Sequence, residues 1–108
     1  MNERTYNALV GARVKYYRSL LKMTQKELAD KLGYTSSAAI SSIEKGNQTI
    51  PLSKLMDFCV ALQVQPFDLL GLRDEDKKIW AIAEKFEDKD PADLVKFAEL
   101  YFKLLEGK

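Results

Sequence analysis

The chain has 108 residues, 46% apolar and 31% charged side chains and a formal net charge of +1, which suits one compact soluble domain with a modest extension. It has no histidine, one cysteine and five scattered glycines, so metal sites, Ser-His or Cys-His nucleophiles and phosphate-cradling loops are poorly supplied, and neither an enzyme nor a bound cofactor is expected. No apolar run reaches the ~18–20 residues of a membrane span, the start "MNERTYNALV" lacks a secretory pattern, and lone Cys59 fits a reducing cytoplasm.

Helical periodicity dominates from the start, and no hairpin signal appears. Residues 5–22 place Leu9, Val10, Val14, Tyr17 and Leu21 at three- and four-residue steps. In "TQKELADKLG", Thr24 and Glu27 have the spacing of a capping box; Leu28, Ala29 and Leu32 make the apolar stripe and Gly33 the stop. A short turn leads into the third helix, which ends at Gly46. Beyond the polar loop "NQTIP", a fourth helix turns Leu55, Phe58, Cys59 and Leu62 inward. Pro66 opens a fifth, which stops before Gly71.

The charged joint "LRDEDKK" is the expected boundary, dividing residues 1–72 from an extension over 73–108. Ile79, Ile82, Ala83 and Phe86 then form one stripe with Trp80 beside it. After the break at "EDKD", Asp90 caps and Pro91 starts a last helix. Charge divides at the same joint: residues 1–73 hold ten Lys/Arg against six Asp/Glu, and residues 74–108 seven Lys against ten Asp/Glu. A mildly basic front and acidic rear suit a front that faces nucleic acid.

The third helix has an unusual surface. At about 100° per residue, Ser37, Ala38, Ser41, Ser42 and Lys45 fall on one arc of about 140°, opposite Ile40, Ile43 and Glu44. A face of Ser and Ala is slim enough to approach another surface closely, and the DNA major groove admits a helix of this kind.

The segment "GARVKYYRSLLKMTQKELADKLGYTSSAAISSIEKGNQTIP" resembles the helix-turn-helix of the lambda repressor/Cro, or XRE-like, family. Gly11, Arg13, Val14, Arg18, Thr24-Gln25, Leu28-Ala29, Gly33, Ile40-Ser41, Ile43-Glu44 and Gly46 carry the resemblance. Pro51, Leu55, Ala61-Leu62, Val64 and Pro66 extend it over about residues 9–70. It implies an all-α fold with a five-helix DNA-binding domain, to which the periodicity of the remaining residues adds a two-helix C-terminal extension.

The resemblance also implies roles. Ser37, Ala38, Ser41 and Ser42 would contact bases, and Gln25, Ser36, Lys45, Asn47, Gln48 and Thr49 phosphates. Arg18 and Glu44 would be a structural ion pair. The expected function is a sequence-specific transcriptional regulator, a repressor on a palindromic operator; the alternatives are an adaptor that keeps the fold without reading bases, or an antitoxin. Three departures stand out. The turn before the third helix is one residue longer than the common form, short Ser and Ala replace the usual long readers, and Gln63 stands where glycine commonly ends the fourth helix.

On the last helix the apolar residues span about 220°, far more than the ~100° one packing face needs. The surplus predicts a homodimer interface at Trp80, Phe97, Leu100, Tyr101 and Leu104, or a docking face for a partner protein. Double-stranded DNA is the other expected partner.

Overall fold

The computed structural model describes residues 2–73, 76–86 and 90–106, and among them the secondary structure is helical throughout, with no strand. The expected joint at Asp74-Glu75, the break at 87–89 and the side chains of Phe86 and Leu105 lie outside the described residues.

Helix α1 (Glu3–Leu20) begins two residues before the periodicity suggests, because the Asn2 side chain accepts the Thr5 N–H at 2.8 Å. It ends ahead of Lys22, whose left-handed φ of 55° breaks the helical path. Helix α2 (Gln25–Lys31) opens on the full capping box: Thr24 Oγ1 accepts the Glu27 N–H at 3.0 Å, and Glu27 Oε1 accepts the Thr24 N–H at 3.2 Å. It closes at Gly33, φ 78°, where the Gly33 and Tyr34 N–H groups donate to the Asp30 and Ala29 carbonyls.

Helix α3 (Ala38–Glu44) ends in the same way at Gly46. A single 3-10 turn, Leu52–Lys54, runs into α4 (Leu55–Leu62). Gln63 then takes the left-handed C-cap, φ 59° and ψ 42°, doing with an ordinary side chain what glycine does at no steric cost. Pro66 stands in the first turn of α5 (Pro66–Leu69). The tail holds α6 (Lys77–Ala83), a 3-10 turn over Glu84–Phe86, and α7 (Pro91–Glu106), where Asp90 Oδ1 accepts the Ala92 N–H at 3.0 Å.

Two apolar clusters share α1. On one side Val10 and Val14 meet Leu28, Ile40, Ile43, Phe58, Cys59, Leu62 and Leu69. On the other, Ala8, Leu9 and Ala12 meet Ile79, Ala83, Leu94, Val95, Ala98 and Phe102. Each large aliphatic or aromatic side chain taken from water here contributes roughly 1.5–3 kcal/mol. Leu9 therefore belongs to the tail's cluster, apart from Val10 and Val14, and α1 is two-faced where a single stripe is expected.

Arg13 joins the clusters. Its Nη2 donates to Asp76 Oδ1, its Nη1 donates to the Asp68 carbonyl at 3.3 Å, and its guanidinium stands 4.5 Å above the centre of the Phe102 ring. Tyr6 adds a link by donating its hydroxyl to the Leu70 carbonyl at 2.9 Å. Burial pushes the Tyr6 hydroxyl and the Cys59 thiol above their ordinary pKa values. Cys59 is thus an inert buried group. No helix of the described residues is long and apolar enough to cross a membrane.

Candidate nucleic-acid interface

The position of α3 is set by a glycine and an ion pair. A Cβ on Gly11 of α1 would stand 2.1 Å from the Ile43 carbonyl oxygen, so only glycine lets α1 cross so close to the end of α3. Beside this crossing, Arg18 Nε lies 2.6 Å from Glu44 Oε2, and Nη2 lies 2.9 Å from Oε1. Arg18 Nη1 also donates to the Met23 carbonyl at 2.7 Å, which ties the turn before α2 into the same group. Glu44 is only 3% exposed, so loss of either member of this bidentate pair leaves a largely buried charge without its partner.

Gln25 completes the network. Its side-chain amide donates to Glu44 Oε1 at 3.0 Å, so one carboxylate holds α1, α2 and α3 in register. Sequence reasoning sets Gln25 beside a phosphate and Glu44 beside Arg18, and misses the bond between them, which closes across 19 residues.

Ile40 and Ile43 point into the core. The outer side of α3 carries exposed Ala38 and Lys45, with Ser37, Ser41 and Ser42 half-buried. The longer turn places the helix start at Ala38. Ser37 is its N-cap without a side-chain cap bond, and Ser36 Oγ accepts the Ala38 N–H at 3.3 Å. Ser36 and Ser37 therefore stand at the mouth of the helix. The loop that follows presents Asn47, Gln48 and Thr49, all exposed. It springs from Gly46, φ 78°, where a Cβ would meet the Ala8 Cα at 2.8 Å.

Ser41 stands apart from the other small residues. It lines a cleft of about 210 Å³ between the helix-turn-helix and the tail, together with Lys15, Gln25, Glu44, Lys45, Ala92, Val95, Lys96 and Glu99. Nothing in the periodicity of α7 announces that its first turns reach the end of α3. The available signal is on α1, whose small residues Ala8 and Ala12 leave room for a second helix along a second face. Of the residues expected at a dimer interface, Leu100 and Leu104 are 60% and 65% exposed, while Trp80, Phe97 and Tyr101 are half-buried against the tail's cluster.

The geometry is a slim, partly exposed helix braced from behind, with an exposed polar loop at its end. The helix-turn-helix family matches residues 14–69. A solved structure from Neisseria, described as a hypothetical transcription factor NHTF, is similar with a TM-score of 0.59 and 24% identity, over 72% of this chain and 87% of that one. At that identity the likeness shows a shared fold. No curated protein matches the chain.

Proposed function

Because the chain belongs to the XRE-type helix-turn-helix family and is a DNA-binding regulator, not an enzyme, we propose that it acts as a cytoplasmic repressor that binds a palindromic operator as a homodimer. The observation that carries this reading is α3 itself: its Ser/Ala side, with Ala38 exposed and Ser37 and Ser42 half-buried, lies opposite the core while the Arg18–Glu44–Gln25 network holds the helix from behind. A helix fixed in this way enters a groove without reordering, and little affinity is lost to conformational entropy.

Ser37, Ala38, Ser41 and Ser42 face the base edges. None is long enough for a bidentate contact, and each such contact would add ~1–3 kcal/mol of discrimination. Sequence preference therefore rests on hydroxyl contacts, on Ala38 against a thymine methyl and on groove shape. Gln25, Ser36, Lys45, Asn47, Gln48 and Thr49 contact phosphates and carry most of the affinity, so binding falls steeply with salt. Repression is by occupancy: two α3 helices about one turn of DNA apart, ~34 Å, exclude polymerase.

Leu100 and Leu104, exposed one turn apart on α7, support dimerisation there, and half-buried Trp80, Phe97 and Tyr101 would add to the same interface. A second exposed stripe supports an alternative face: Leu52, Met56 and Val60 at four-residue steps, 86%, 59% and 75% exposed, with Phe67 of α5 at 52%. Sedimentation of Leu104→Lys and Val60→Lys separates the two, since only the variant on the true interface becomes monomeric. Selection from random duplex DNA tests the whole reading. An enriched palindrome is the expected result, and no affinity for any duplex at low ionic strength would end it.

A further inference from the structure

The cleft between α3 and α7 joins the tail to the proposed DNA-binding face. Gln25, Ser41 and Lys45 form one wall, and Ala92, Val95, Lys96 and Glu99 of α7 form the other. Its charges divide into two kinds. Glu44 is taken up by Arg18, and the Lys15 ammonium lies 2.8 Å from the Glu99 carboxylate. These pairs cancel. Lys45 and Lys96 remain, both exposed, and neither makes an ion pair among the described residues. Two like charges across one cleft repel each other and favour a shared anion.

We propose that Lys96 of the tail is a phosphate-contacting residue. It binds the DNA backbone just outside the base pairs read by α3 and completes with Lys45 a clamp on one strand. The proposal rests on the duplex binding by α3 set out above. Gln25 and Lys45, two of the phosphate-contacting residues of that reading, already line this cleft. Lys96 lines the same cleft from the other wall, so a strand lying against both passes α7. Ala92 and Val95 are short and leave the approach open. Asp93, three residues before Lys96, does not line the cleft. The tail thus lengthens the footprint beyond the helix-turn-helix without adding base readout.

The test uses the full chain and a fluorescent duplex carrying the selected site, in a long form and in one trimmed at its outer ends. Lys96→Gln is expected to lower affinity for the long duplex by about three- to tenfold. It should also flatten the slope of log K against log salt by about 1.8, about 0.9 for the one phosphate that each of the two subunits gives up. Lys103→Gln, on an exposed α7 residue outside the cleft, should do neither. On the trimmed duplex the difference between Lys96→Gln and the unmodified chain should vanish. If the unmodified chain binds the long duplex and Lys96→Gln matches it in affinity and slope, the clamp is wrong while the reading of α3 stands. If the unmodified chain binds no duplex, both fall. Trp80 emission confirms that each variant keeps the tail docked.

Discussion

The two faces of α1 solve the same packing problem differently. Toward α2–α5, large side chains interlock around Phe58, Ile40 and Ile43, and a buried ion pair locks the register of three helices. Toward α7, Ala8, Ala12 and Ala98 are wholly buried and let two helices lie close along their length. The register there depends on Arg13 over Phe102 and on a partly exposed pair, Lys15–Glu99. The first face holds α3 rigidly in place. The second holds a helix that still has apolar surface to spare, the surface that the proposed dimer would cover.

Substitutions can break or sharpen this contrast. The largest effect belongs to Glu44→Ala, which removes the carboxylate partner of the mostly buried Arg18 guanidinium. A loss of about 3–5 kcal/mol in urea unfolding is expected. Gly11→Ala forces α1 off the Ile43 carbonyl and should lose about 2–3 kcal/mol, with DNA affinity falling beyond the loss of folded protein. On the other face, Ala12→Leu should lose about 1–3 kcal/mol by prising α7 away. Its mark is a red-shifted Trp80 emission, with duplex affinity lowered by loss of the α7 contacts but not abolished. If Ala12→Leu instead abolished binding as Glu44→Ala does, the two faces would not be separable. The smallest effect is a gain: Gln63→Gly relieves the left-handed C-cap of α4 and should raise stability by about 0.5 kcal/mol, seen as a higher urea midpoint.

Much of the fold was legible because local chemistry dictates it. The Thr24/Glu27 box, Gly33, Gly46, Pro66 and Asp90 are punctuation that works within four residues, and each stands where its spacing implies. The inward residues of α2, α3 and α4 follow from period alone. Contacts between distant segments were less legible. The Gln25–Glu44 bond, the latch from Arg13 to Asp76 and the cleft that brings Lys96 beside Lys45 all join residues far apart in the chain. The exposed stripe of Leu52, Met56 and Val60 lies opposite the inward face read from the period, and only the packing shows that no other part of the described chain covers it.

The sequence by itself determined the helices, their ends and the slim composition of α3, since these depend on side chains meeting their own backbone within a turn or two. Only the tertiary structure decided that α1 serves two cores, that α3 starts at Ala38 behind Ser36 and Ser37, and that the tail returns to the edge of the helix-turn-helix. Those outcomes depend on how closely whole helices can approach, and that distance is set by what both partners present, such as Gly11 under Ile43 and Ala12 in the cluster that holds Ala98.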